Sequence, residues 1–102
     1  MTQFRVTLSD NAEGDLRFFE AYEQRIILDE IQRSLSVDAH LENQHRKMLD
    51  PNSIAPWELK IGDFRVFYSW AVSATTNGTV RVLAIGKKVH NDLRIRDQTV
   101  EL

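Results

Sequence analysis

Apolar and polar residues alternate over Phe4-Arg5-Val6-Thr7-Leu8, the period-two pattern of a strand with one buried face. The period then lengthens. Ala12, Leu16, Phe19 and Tyr22 recur at helical spacing, which predicts a helix over 10–22 with an apolar stripe. Ser9 or Asp10 can cap it, and Asp10 with Glu13 three residues on resembles a capping box. Ile27, Leu28, Ile31 and Leu35 share the face of a second helix, so an αα-hairpin is expected. Phe18, Phe19 and Tyr22 read as core and helix-packing material. Over 36–56 the apolar positions scatter, and Asp50-Pro51-Asn52 and Ala55-Pro56 are loop signals. An irregular segment covering part of the core is expected there, with a third helical turn around 38–45 as an alternative.

From Trp57 the period returns to two. Trp57, Leu59 and Ile61 point one way, Glu58 and Lys60 the other. Gly62-Asp63 suits a two-residue type II′ turn, with glycine at the first central position. Such a turn fixes the register of the next strand. It places Ile61 opposite Phe64, Lys60 opposite Arg65, Leu59 opposite Val66, Glu58 opposite Phe67 and Trp57 opposite Tyr68. One face of this hairpin is then apolar and belongs to the core. Thr75-Thr76-Asn77-Gly78 signals a further turn, Val80–Ile85 a further strand, and Gly86 its end or a bulge. Leu93-Arg94-Ile95 and Thr99-Val100-Glu101-Leu102 suggest a small terminal hairpin. The order β-α-α-β-β-β is that of an α+β domain, two helices packed on a mainly antiparallel sheet.

Composition narrows the class. The chain has 102 residues, enough for one domain over 1–102, and it lacks cysteine, so disulfides and thiolate chemistry are excluded. No apolar run approaches the roughly 20 residues of a membrane span. The start, Met1-Thr2-Gln3-Phe4-Arg5, has no secretory pattern, so a cytoplasmic location is expected. The net charge of −2 hides an asymmetry. Residues 1–56 carry six Lys/Arg against ten Asp/Glu, and residues 57–96 carry seven against three. A basic second half hints at an anionic partner. His40 and His45 read as surface histidines, since a metal site needs more ligands at firmer spacing. The four glycines make no phosphate loop, so no metal or nucleotide cofactor is expected.

The candidate chemistry lies on the polar face of the hairpin. Lys60 opposite Arg65 opposes like charges, at a cost of some tenths to about 1 kcal/mol. A broken local rule points to function. Lys87 and Lys88 follow the next strand and can add cations at the same end of the sheet. Such a cluster suits a phosphodiester and the extra charge of a phosphorane-like transition state.

Trp57-Glu58-Leu59-Lys60-Ile61-Gly62-Asp63-Phe64-Arg65-Val66-Phe67-Tyr68, with Val82-Leu83-Ala84-Ile85-Gly86-Lys87-Lys88, resembles the RelE/ParE superfamily of type II toxin–antitoxin toxins. The resemblance covers nearly the whole chain. It implies a RelE-like endoribonuclease that cuts messenger RNA, at the ribosome in many members, and a cognate antitoxin as partner. Operator DNA would be contacted only through that antitoxin, and no membrane is involved. It further implies catalytic roles for Lys60, Arg65 and Lys88. Arg65 and Lys88 would stabilise a phosphorane, and Lys60 would orient or deprotonate a ribose 2′-hydroxyl. His90 is close enough in sequence to act as acid or base. Glu58 stands where such enzymes carry another lysine, and Arg94 near the place of their terminal tyrosine. Glu58, Lys87 and Arg94 are expected to bind substrate. ParE-type members share the fold and inhibit DNA gyrase by binding, which is the alternative reading, alongside a weakly active relative.

Overall fold

The computed structural model describes residues 1–74 and 76–102. Its elements are β1 (Gln3–Leu8), α1 (Asp10–Arg17), α2 (Ala21–Leu35), β2 (Arg46–Met48), β3 (Trp57–Ile61), β4 (Phe64–Ala74), β5 (Asn77–Val89), β6 (Asp92–Ile95) and β7 (Gln98–Val100). The expected β-α-α-β-β-β order is present within this α+β chain. Short β2 precedes its hairpin, and β6 and β7 form the terminal hairpin. The sheet order is β2-β3-β4-β5-β6-β7, with β1 parallel to β5 and every other pairing antiparallel. No helix of the described residues is long and apolar enough to cross a membrane.

Ser9, not Asp10, caps α1: its hydroxyl accepts from the Ala12 amide at 3.1 Å. The helix is shorter than the 10–22 expected. At Phe18 and Phe19 the amides reach back only three residues, to Asp15 and Leu16, and this tightening ends the helix. The chain restarts at Glu20, whose amide donates to the Glu23 carboxylate at 3.1 Å. The restart resets the helical phase. Phe18 is therefore 54% exposed and Tyr22 63%, so of the three aromatics expected in the core only Phe19 packs against it. α2 buries Ile27, Ile31 and Leu35, while Leu28 faces out, against expectation. Residues 38–45 contain no helical turn; β2 pairs with β3 instead.

The β3–β4 register is the one the two-residue turn dictates, from Ile61 opposite Phe64 to Trp57 opposite Tyr68. Gly62 takes φ 57°. Trp57, Leu59, Ile61, Val66 and Tyr68 lie in the main core with Leu16, Ile27, Ile31 and Leu35, and Phe64 packs against it. Burial drives the Tyr68 phenol well above its ordinary pKa, and the nearby Arg46 charge offsets only part of this. Its hydroxyl donates to the Ala39 carbonyl at 2.9 Å. Tyr68→Phe leaves that carbonyl without its donor and is expected to cost about 1–2 kcal/mol, readable as a lower urea midpoint at unchanged slope.

Two glycines serve packing where the sequence suggested turns. The Thr75–Gly78 turn falls partly on residue 75, outside the described residues, but Asn77 and Gly78 themselves belong to β5. A Cβ at Gly78 would come within 2.5 Å of the Phe4 ring. Gly86 does not end its strand, since β5 runs on to Val89. A Cβ there would stand 2.6 Å from the Arg94 carbonyl of β6. The β4–β5 pairing has two irregularities, both earlier in β5. Phe67 faces Ala84 and Tyr68 faces Val82, so Leu83 is the extra residue of one bulge; Val72 faces Gly78 and Ala74 faces Asn77, so Ser73 of β4 is the extra residue of the other.

The sheet face away from the helices is not wholly open. Phe67, Ala84, Leu93 and Ala55 are buried there as a second apolar cluster, with Leu49, Ile54, Leu83, Ile95 and Val100 packed on it. The loop before β3 and the terminal hairpin thus roof part of this face.

Candidate functional site

The hairpin places Lys60 directly opposite Arg65, and β5 places Gly86 opposite Arg65 on its other side. Side chains alternate along each strand, so Lys88, two residues after Gly86, shares their face. Its amide donates to the Asp63 carbonyl at 2.8 Å, which locks β5 to the turn. Lys60, Arg65 and Lys88 therefore gather at the turn end of three adjacent strands, on the face away from the helices.

The three differ in freedom. Lys60 is exposed and Lys88 half-buried. Arg65 is only 9% exposed. Its Nη1 donates to the Gly62 carbonyl at 2.7 Å and to the Phe64 carbonyl at 2.9 Å. This helps the like charges tolerate each other: the two carbonyls partly offset the guanidinium charge as it closes the hairpin turn. Both Nη1 protons are then used, while the Nε–Nη2 edge has no protein acceptor in hydrogen-bond range among the described residues. That edge is the fork that grips a phosphate in bidentate fashion.

The other sequence candidates separate. Glu58 is on the same face but buried, with the Lys47 ammonium 4.0 Å from its carboxylate. Lys87 points to the helix side, 3.5 Å from the Glu23 carboxylate and 5.4 Å above the Phe64 ring. Arg94 is its direct cross-strand neighbour and donates to the Asp97 carbonyl at 3.1 Å. These two line a separate cleft of about 230 Å³ with Phe18, Phe19 and Val89. His90 is exposed in the two-residue turn between β5 and β6, where it and Asn91 take φ 51° and 70°.

Three features escaped the sequence reading. His45, exposed as expected, shares a cleft of about 690 Å³ with the Lys60–Gly62 segment, between α2 and β3, and its carbonyl accepts from the Lys60 amide at 2.8 Å. His40 is not a plain surface histidine: it sits between Phe4 and Trp70, and its buried Nδ1 has no hydrogen-bond partner among the described residues. The third feature is the Asp15 carboxylate. It accepts from the Ile85 amide at 3.0 Å and from Arg96 Nε at 2.8 Å. β1 leaves β5 at Val82 and β6 joins it at Lys87, so Asp15 fills the gap between them. A single aspartate on a helix carries no sequence signal of such a role.

No protein-family model matches the sequence. No curated protein matches it either. Among solved structures the chain is similar to one in the RelBE2 toxin–antitoxin complex of Mycobacterium tuberculosis, with a TM-score of 0.65. The match has 17% identity and covers 84% of this chain and 99% of that one. At that identity the likeness establishes architecture, and two helices laid on a curled, mainly antiparallel sheet of this topology are a RelE-like fold.

Proposed function

We propose that this chain is the toxin of a type II toxin–antitoxin pair and acts as a metal-independent endoribonuclease on messenger RNA, blocking translation in the cytoplasm. The observation that carries the reading is the convergence of Lys60, Arg65 and Lys88 at one end of the sheet, with the Arg65 fork held in place by the turn carbonyls. A phosphodiester seated there receives two hydrogen bonds from Arg65 and charge from Lys88. Lys60 faces the attacking ribose. The 2′-oxygen bonds to phosphorus as its proton passes to Lys60, which acts in its neutral amine form. The bond to the 5′-oxygen breaks as that oxygen takes a proton. The products are a 2′,3′-cyclic phosphate and a free 5′-hydroxyl. The exposed imidazole of His90 is the acid in this scheme.

The partner is a cognate antitoxin that covers the cationic end, and operator DNA is reached only through it. Induction of the chain alone in bacteria is expected to stop growth and to cut messenger RNA, translated or ribosome-bound. Lys60→Ala should abolish both while the folded protein accumulates. Harmless expression of the wild type would remove the toxin reading altogether. The burial of Arg65 and the second apolar cluster favour a rival, a ParE-like toxin that disables DNA gyrase by contact. That rival predicts arrested supercoiling with RNA intact.

A further inference from the structure

β4 is longer than the strand beside it. Its pairing with β3 ends at Tyr68 opposite Trp57, yet the strand continues through Ala74, bonded on its other edge to β5. Before Trp57 the chain does not continue alongside. It closes a loop with Leu49 donating to the Pro56 carbonyl at 2.8 Å, and its Ile54 and Ala55 pack on the far face. Among the described residues, nothing pairs with the β3-side edge of β4 from Ser69 to Ala74. Alternate amides and carbonyls along this stretch therefore face outward.

Natural edges carry charges, prolines, bulges or a covering loop. Of these the edge has only a bulge near its end, where Ser73 is the extra residue between Val72 and Ala74 in the pairing with β5. Here no charged residue and no proline occur from Val66 to Val80. Trp70 is 36% exposed and Val72 42%. Both lie on the Tyr68 face of the strand, with Ser69 and Ala71 on the other, up to the bulge at Ser73.

We propose that this edge pairs with the same edge of a second copy, joining two sheets about a two-fold axis through Ala71. The segment is complementary to itself in that register. Trp70 falls opposite Val72 of the second copy, and Val72 opposite its Trp70, giving two aromatic–aliphatic cross-strand pairs. Ala71 falls opposite Ala71, and Ser69 of each copy meets the Ser73 bulge of the other. No like charges meet. The length fits too: one residue further, Ala74 would face Tyr68 of the second copy, whose edge its own Trp57 already fills. An isologous contact of this kind closes after two copies and leaves no growing edge.

Five residues per strand make a small contact, so association is weak, with a dissociation constant on the order of 10–100 µM. Sedimentation velocity of the full chain from about 1 to about 300 µM is expected to move from the 11.8 kDa monomer to twice that mass. Val72→Lys should keep it monomeric throughout. The doubly substituted Ser69→Lys, Ser73→Lys chain places like charges opposite and should also stay monomeric. Ser69→Lys with Ser73→Glu places opposite charges together and should dimerise. A wild type that stays monomeric at the highest concentration overturns the proposal. So does a dimer that survives Val72→Lys and the double-lysine change, since it would use another surface.

Discussion

Replacing Asp15 with alanine is expected to lower the folding free energy by about 2–4 kcal/mol, because the change orphans a buried amide and strips the partner from an arginine at once. The carboxylate is buried, and it bridges three parts of the chain. Its helix is α1, its amide donor is Ile85 in the middle of β5, and its cation is Arg96 in the turn between β6 and β7. Arg96 holds φ 57°, an uncommon backbone state for a residue with a side chain, and its guanidinium lies across Gly14. A Cβ at Gly14 would stand 2.4 Å from Arg96 Nη2, so Gly14 is the space the clamp needs. Arg96→Ala is the informative contrast. The Arg96 side chain is itself half-exposed, and solvent screens much of the pair, so its removal should cost only about 1 kcal/mol. Urea unfolding of the two variants measures the difference. Equal losses would mean that the ion pair, not the Ile85 amide, is what Asp15 serves. Hydrogen exchange gives a second reading. Amides of β6 and β7 should open earlier in Asp15→Ala than those of β3 and β4, because the clamp ties the terminal hairpin to α1 and β5 and touches neither β3 nor β4.

What the sequence disclosed and withheld follows physical lines. The β3–β4 hairpin was legible because a two-residue turn with Gly62 leaves one register, and one register puts every apolar residue of the hairpin but Phe67 on one side. The existence of both helices was legible for similar local reasons, while the cap of α1 stayed open between Ser9 and Asp10. The break at Phe18–Glu20 was not, since Leu16, Phe19 and Tyr22 keep helical spacing across it while the backbone does not. Gly78 and Gly86 look like turn residues from their neighbours in sequence. Their purpose is set by Phe4 and Arg94, which lie far away along the chain. Phe67 and Ala84 did carry a readable signal for the second cluster, as apolar residues at positions alternation assigns to the polar face. Ile54 and Ala55 supply its cover from a segment with no periodicity at all. The cationic cluster was legible in part: pairing rules bring Lys60, Arg65 and Lys88 together, and the same alternation sends Lys87 to the other side. Where a guanidinium turns once it arrives is a matter of tertiary hydrogen bonds, which periodicity does not encode.

That orientation sets the sharpest test of the proposed chemistry, the conservative change Arg65→Lys. An ammonium keeps the charge but lacks the planar fork. It cannot hold the Gly62 and Phe64 carbonyls and at the same time offer two parallel donors to a phosphate. If Arg65 only closes the turn, the change should lower stability by about 1–2 kcal/mol and leave RNA cleavage by the folded fraction untouched. If its free edge meets the phosphorane, cleavage should fall by about 10²–10³-fold, as for loss of one preorganised donor at a developing oxyanion. The proposal requires the second outcome, measured as single-turnover cleavage of an RNA oligonucleotide, or of ribosome-bound messenger where free RNA is not cut. Lys88→Ala should give a loss of similar order with little change in stability, because its ammonium, unlike Arg65, closes no turn. Lys88 therefore isolates the electrostatic contribution from the structural one. Should Arg65→Lys cleave normally while Lys88→Ala also cleaves normally, the cationic end is a scaffold, and the gyrase-binding reading takes its place. A deep loss in both, with circular dichroism unchanged and the Arg65→Lys, Lys88→Ala double variant losing less than the product of the two, is the result expected if both side chains act on the same developing charge.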